Sequence, residues 1–297
     1  MKAYTSKKAL QTVVENFRKP RQLFMYHPLK FEINQTFPGT RTTLYSRNVN
    51  GTTYWLANMS NPYERDRQIF THDGKFQESE FLKCFDEFAK TVNLFTVGSL
   101  PSTVAENCYT NAIVNYLNKN NIKVNVSKKS AHFFTMNESQ IFKYRHYENN
   151  DTIPEGYSLD VPVPEEDIHM IVGTSAESPT DEKKILLLRE KLRHFPALCA
   201  RKGDELAGYI SSESHGTFSN LHVFDSHRGK NLGETLEIGA AKMAIENGIR
   251  PSKFIDTTNQ FYMEKTKKSK LMNIVESNGI PVVFDHTVYQ PISEYSI

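Results

Sequence analysis

The sequence predicts an α/β protein of two domains, with strands and helices mixed in both and a mixed, helix-flanked sheet in the second. Three observations carry that expectation. At 297 residues the chain is longer than one core usually organises. Extended and helical periodicities alternate along it with no internal repeat. From Thr217 to Gly248 an extended run, a basic loop with glycines and a helical pattern follow one another directly.

The remaining chemistry is read around that stretch. In Phe218 to Phe224, Leu221 and Val223 share one face and His222 takes the other. Asp225-Ser226-His227 then turns the chain into Arg228-Gly229-Lys230-Asn231-Leu232-Gly233. Leu232, Leu236, Ala240, Met243 and Ala244 recur at helical spacing, and Asn247-Gly248 supplies a stop. A loop entering a helix in this way exposes backbone N–H groups at a positive helix end, which suits a pyrophosphate. Arg228 and Lys230 add charge, and Gly229 and Gly233 allow close approach to the backbone. Neither a Walker A string nor G-x-G-x-x-G is present.

In chain order, Leu10, Val13, Val14 and Phe17 form a stripe that predicts a first helix rather than a cleaved basic leader. Leu23 to Ile33 reads as a strand. Arg41–Arg47 and Thr52–Asn58 flank Asn50-Gly51 as a hairpin, with Trp55 in the core. Glu78–Val92 is helical, Leu94–Val97 a short strand, Ser102 the cap of a helix to Asn118, and Ile122–Val126 a strand. The polar stretch Tyr147–Gly156 marks the boundary between domains 1–150 and 151–297. Beyond it come a strand at Tyr157–Val163 and a helix from Pro164 whose acids Glu165, Glu166 and Asp167 complement its dipole. A helix from Thr180 and a meander of three strands from Ala197 lead into the loop. Lys253–Thr257 is a strand, Asn259–Asn278 a helix and Ile280–Tyr289 the last strand.

Composition excludes several classes. Lys plus Arg (36) nearly balance Asp plus Glu (34), giving no electrostatic reason for nucleic acid or membrane as partner. No apolar run approaches a membrane span. Cys84, Cys108 and Cys199 are too few and too scattered for a disulfide framework or zinc site, and buried reduced thiols are expected. No His/Cys/Asp set has metal spacing. The expected compartment is intracellular and reducing, cytoplasmic first, with the basic first twenty residues leaving the mitochondrion as the alternative.

Arg228-Gly229-Lys230-Asn231-Leu232-Gly233 resembles the pyrophosphate loop of the GNAT superfamily of N-acetyltransferases, Arg/Gln-x-x-Gly-x-Gly/Ala, with Asn231 where the middle glycine is usual. Asparagine tolerates positive φ better than most residues. The element order of residues 155–297 is similar to that superfamily as well. Ile153-Pro154-Glu155-Gly156-Tyr157-Ser158-Leu159, Phe195-Pro196-Ala197-Leu198-Cys199-Ala200 and Ile255-Asp256-Thr257-Thr258-Asn259 look like glycine N-acyltransferase-like proteins. The first half resembles their smaller N-terminal α+β domain, with a degenerate copy of the same fold as an alternative.

The resemblance implies acyl-CoA (acetyl, or a longer or aryl acyl group) as co-substrate, no metal, and a small-molecule amine such as glycine as acceptor. It assigns cofactor binding to Leu221, Val223, Arg228, Gly229, Lys230, Asn231, Leu232, Gly233 and Asn259. Those relatives carry a basic glutamate eleven residues before the loop arginine, and that position is Thr217 here. His222 is the replacement base, a hydrogen-bonded sheet histidine being the plainer alternative; His215 and Glu213 are expected to be solvated in a turn. A tyrosine that meets the leaving thiolate would fall at Thr266, so Tyr262, nearly one turn earlier, stands in for it. The basic run Lys265–Lys270 reads as a solvated face. Two alternatives stay open: a protein N-acetyltransferase, and a catalytically degenerate CoA-binding or scaffold protein.

Overall fold

The structure is a computed structural model that describes residues 1–94, 102–147, 153–163, 165–174 and 182–291. The first half runs β1 (Lys2–Tyr4), α1 (Lys7–Gln11), α2 (Leu23–Asn34), β2 (Arg41–Val49), β3 (Thr52–Ser60), β4 (Arg67–Asp73), α3 (Glu78–Thr91), β5 (Ser102–Glu106), α4 (Asn107–Lys119) and β6 (Val124–Thr135). Then follow α5 (Glu138–Arg145), β7 (Ser158–Asp160), α6 (Ile168–Gly173), α7 (Glu182–His194), β8 (Leu198–Lys202), β9 (Glu205–Ser212) and β10 (Phe218–Val223). The chain continues through α8 (Leu232–Glu246), β11 (Ser252–Asp256) and α9 (Gln260–Ser269). It ends with β12 (Asn273–Ile274), β13 (Glu276–Ser277), β14 (Ile280–Pro281) and β15 (Val283–Pro291).

Two compact units are built from these elements. Met1–His132, Asp256–Thr258 and the chain from Glu276 form the first, and Phe133–Ile255 with Asn259–Val275 the second.

In the first unit the strands lie in the order β1-β2-β3-β4-β5-β15-β6. Asn50 and Gly51 both take positive φ (49° and 85°), which the tight hairpin between β2 and β3 requires. Alternation along β3 then feeds two faces. Tyr54 and Leu56 join Phe70 against Phe81, Phe85 and Phe88 of α3 and Tyr109 and Ile113 of α4. Phe70 meets those three phenylalanines edge-on at 5.7–5.9 Å. Trp55 points the other way, edge-on to Phe17 at 5.1 Å, and its indole N–H donates to Asp73 at 2.9 Å.

Several expectations for this half are corrected. The stripe Leu10, Val13, Val14, Phe17 is buried, but α1 is short and a separate 3-10 turn carries Val14–Phe17. Leu23–Ile33 is helix α2, not a strand. Eight of its residues are buried, so no polar face marks a period, and continuous apolar runs do not distinguish buried helix from buried strand. Ser102–Glu106 is a strand rather than the start of a helix, because it pairs with β4 on one side and β15 on the other. Pairing with β15 also prolongs β6 well past Val126. Cys84 is buried and Cys108 only partly so. Of the strand expected at Leu94–Val97, residues 95–97 lie outside the described residues.

The second unit has the order β7-β8-β9-β10-β11, antiparallel except for the parallel pair β10–β11 that α8 connects. The meander, loop, central helix and fifth strand thus follow the expected order. Ile171, Leu192, Ala197, Cys199, Leu206 and Tyr209 form a core, and α8 buries Leu232, Leu236, Ala240 and Ala244. Three local expectations change. The helix expected from Pro164 begins only at Ile168, with Asp167 at its N-cap position; that carboxylate is buried, pairs with Arg201 at 2.5 Å and accepts from the Val163 N–H at 2.7 Å. The strand after Tyr157 spans only Ser158–Asp160. The helix after Asn259 stops at Ser269, where Lys270 takes φ 54° and Leu271 and Met272 turn inward. Among the described residues no helix is long and apolar enough to cross a membrane, and no group of His, Cys, Asp or Glu could hold a metal ion.

The first core contains one pH-sensitive group. His72 is buried with Nδ1 2.5 Å from the Tyr109 hydroxyl. Burial first, and then Arg21, lower its pKa from 6.5 to about 4. The folded state therefore binds this proton more weakly than the unfolded chain, and stability falls as pH drops from 6.5 towards 4. The expected loss is about 1.4 kcal/mol per pH unit within that window. Urea unfolding of the wild type and His72→Gln at about pH 7 and about pH 5 checks it: the variant should lose less stability on acidification.

Candidate functional site

The site begins with a departure from regular pairing. Strand β10 pairs with β9 at Phe218↔Ser212 and Ser219↔Ser211, then resumes at His222↔Tyr209. The register shift falls at Asn220 and Leu221, and Asn220 has φ 53°. This is a bulge, which re-aims the strand. Asn220, Leu221, His222 and Val223 consequently all line one cavity, although simple alternation places His222 opposite Leu221 and Val223. Gly208 on β9 permits the close approach: a Cβ there would lie 2.7 Å from the His222 carbonyl oxygen.

On its other side β10 registers with β11 only at Phe218↔Lys253. Past that pair the cleft opens, about 950 Å³ in volume, with β10 and β11 residues on its walls and the start of α8 at its end. Asn231 precedes α8 with φ 63°, the left-handed conformation a glycine would otherwise supply. The first helical hydrogen bonds there come from the Glu234 and Thr235 N–H groups to the Asn231 carbonyl, 3.1 and 3.2 Å. Among the described residues the N–H groups of Asn231, Leu232 and Gly233 have no protein acceptor, as helix starts require. A Cβ on Gly233 would meet nothing closer than 3.7 Å and one on Gly229 nothing within 4 Å. Packing therefore does not demand glycine at 233, whereas Gly229 has φ 77°.

The basic residues of the loop brace it from behind. Arg228 donates to the Val223 carbonyl at 3.0 Å and pairs with Asp225 at 2.9 Å, while still bordering the cleft. Lys230 is turned away: its Nζ donates to the Tyr157 hydroxyl at 2.8 Å. Tyr157 lies 3.0 Å from His227 Nδ1, and His227 Nε2 lies 3.1 Å from Glu205. Leu221, His222, Val223, Arg228, Gly229, Asn231, Leu232, Gly233, Asn259 and Tyr262 thus border one cleft; Lys230 alone among the candidates does not. Asn259 has a structural task as well, capping α9 through the Tyr262 N–H at 3.1 Å.

His222 is stacked against Tyr209 (centroids 5.9 Å) and edge-on to Phe224 (5.0 Å). Burial and then Arg228 lower its pKa, with Asp225 opposing. It also lines a second cavity of about 390 Å³ between β10 and helices α6 and α7, walled by apolar Ile171, Val172, Leu187 and Leu188 and by polar Thr174, Lys184 and Lys191. His215 and Glu213 are not solvated turn residues. His215 is buried with Nε2 3.0 Å from the Thr217 hydroxyl, and Glu213 pairs with Lys191 at 2.6 Å and accepts from Ser219 at 2.8 Å. Within the basic run of α9, Lys265 borders the cleft and Lys267 pairs with Glu264.

Sequence reasoning missed a buried cluster at the base of the cleft. Lys253 and Glu237, each 4–5% exposed at the side chain, form an ion pair. Tyr262 donates to the same carboxylate oxygen at 2.6 Å and accepts from Lys253 at 3.1 Å. The available signal was an acid inside the apolar run Leu236-Glu237-Ile238 and a lysine inside a short buried strand. Removing one charge strands the other, so Lys253→Met or Glu237→Gln alone should cost about 3–5 kcal/mol, and both together much less. Denaturant unfolding of the two single variants and the double variant measures this.

No protein-family model matches the sequence, and no curated protein does. Solved structures do. A Drosophila protein from a structural-genomics programme is similar with a TM-score of 0.70 at 12% identity, over 97% of each chain. A GCN5-related N-acetyltransferase from Sphaerobacter thermophilus is similar with a TM-score of 0.53 at 10% identity, over 98% of this chain and 95% of that one. The likeness at such identity is one of fold: a mixed sheet flanked by helices, shared with these two structures.

Proposed function

We propose that the second unit is an N-acyltransferase that takes its acyl group from acyl-CoA and transfers it to the amine of a small molecule. The observation that carries this reading is the open cleft between β10 and β11 ending on unpaired N–H groups. Its residues fit the ligand. The N–H groups of Asn231, Leu232 and Gly233, with Arg228 beside them, suit a pyrophosphate, and glycine at 233 keeps the approach clear. The backbone of Leu221 to Val223 offers polar groups to the amide-containing arm. When bound, the thioester supplies an acyl carbon open to attack by an amine.

His222 is the base in this reading. It touches both cavities, and its lowered pKa keeps the imidazole neutral and able to accept the amine's proton at neutral pH. The second cavity then receives the acceptor. Glycine is the smallest such acceptor, and walls that combine Ile171, Leu187 and Leu188 with Lys184 and Lys191 favour an amine carrying both an apolar body and a carboxylate. A reading as a CoA-binding protein without catalysis draws on Thr217, whose hydroxyl is buried beside His215 where the resemblance expects a carboxylate.

Calorimetric titration with acetyl-CoA and benzoyl-CoA tests the reading. Micromolar binding is expected, weakened at least about tenfold by Gly233→Asp, which places a negative charge at the anion end of the cleft. The melting temperature of that variant should stay close to wild type, since the position has room for a side chain. No binding to either thioester by the folded protein would overturn the proposal. For turnover, thiol release should persist down through pH 6.5 and fail only in more acidic solution, where His222 finally protonates. His222→Gln should slow release about a hundredfold or more while retaining CoA affinity.

A further inference from the structure

Where β10 and β11 part, three titratable side chains are packed together on the wall of the cleft. They are Glu237 from α8, Lys253 from β11 and Tyr262 from α9. Their hydrogen bonds are not equivalent. Tyr262 has one proton, and it is given to the Glu237 carboxylate at 2.6 Å. Lys253 has three. One is directed to Glu237 and one to the Tyr262 hydroxyl at 3.1 Å, leaving a third donor on a residue that borders the cleft. The ammonium also lies over the Tyr262 ring, 4.4 Å from its centroid, which holds it in place.

The electrostatics separate the two groups further. Burial, and then the Glu237 charge, push the Tyr262 pKa far up, so the phenol is a poor acid towards anything else. Burial pulls the Lys253 pKa down; Glu237 opposes this, and the Lys265 charge adds to it. Lys253 therefore gives up a proton more readily than an ordinary lysine, and Tyr262 less readily than an ordinary tyrosine. The charged and titratable groups facing Lys253 are Glu237 from α8 and Tyr262 and Lys265 from α9.

We propose that Lys253, and not Tyr262, is the group that meets the sulfur released from the thioester. The inference rests on the reading of the cleft as an acyl-CoA site. In the step it serves, the amine nitrogen forms a bond to the acyl carbon and the carbon–sulfur bond breaks with its electron pair on sulfur. The amine's proton passes to His222 and a Lys253 Nζ–H proton passes to the thiolate; His222 then releases its proton to solvent water and Lys253 takes one back from it. Glu237 is the positioning residue that fixes the ammonium by a hydrogen bond, and the Tyr262 ring, which Tyr262→Phe retains, lies against it.

The test needs no acceptor. Free CoA and desulfo-CoA, which lacks the sulfur, are titrated calorimetrically into wild type, Lys253→Met/Glu237→Gln and Tyr262→Phe, each first shown to be folded by thermal unfolding. Wild type should bind CoA at least about tenfold more tightly than desulfo-CoA in mildly alkaline solution, the effect of one charge-assisted hydrogen bond. The double variant should bind the two ligands equally, and Tyr262→Phe should keep the preference. Equal binding of both ligands by wild type overturns the role of Lys253 and leaves the CoA site standing. So does a preference that disappears with Tyr262→Phe and survives in the double variant. Failure of the folded wild type to bind either ligand overturns the acyl-CoA reading and this inference with it.

Discussion

Everything at the site follows from one constraint: β10 cannot remain paired on both sides along its length. The bulge at Asn220 and Leu221 turns its second half, while β11 stays in register only at Phe218↔Lys253. Two strands that part must leave backbone groups unpaired, and unpaired backbone has to meet water or a ligand. The cleft is thus a place where the sheet's own hydrogen bonding has been set aside. Gly208 makes this geometrically possible by letting β9 follow β10 at a distance no side chain would allow.

The loop at the end of the cleft is braced by its own side chains, and the backbone amides of Asn231, Leu232 and Gly233 take no part in the bracing. Arg228 braces its own turn through the Val223 carbonyl and Asp225, and Lys230 reaches back to Tyr157 and the His227–Glu205 contact. The amides therefore present a fixed array whose orientation is settled before anything binds. Preorganised dipoles of this kind lose little on association, which is what makes a helix start an effective anion site.

The loop was legible in the sequence because its determinants are contiguous. Strand, turn, left-handed Asn231 and helix each have local signatures within about twenty residues. The Asn50-Gly51 hairpin was legible for the same reason. Helix α2 was not, since a segment buried on nearly every side carries no period, and β5 was not, because its strand character comes from partners distant in the chain. The bulge escaped as well: Asn220 looks like any strand residue until its φ is known. The Glu237–Lys253–Tyr262 cluster depends on three elements folding against one another, so no spacing in the chain announces it.

The strand order of the first unit has a consequence for how the protein is made. Strand β15 lies between β5 and β6, pairing with β6 over nine registered residues and with β5 over five. On a ribosome the first 135 residues emerge long before residue 283 does, so β5 and β6 wait with open edges for a partner not yet synthesised. The sheet of this unit closes only once β15 is available, and a nascent chain stalled before β15 would expose two strand edges to chaperones or to neighbouring chains.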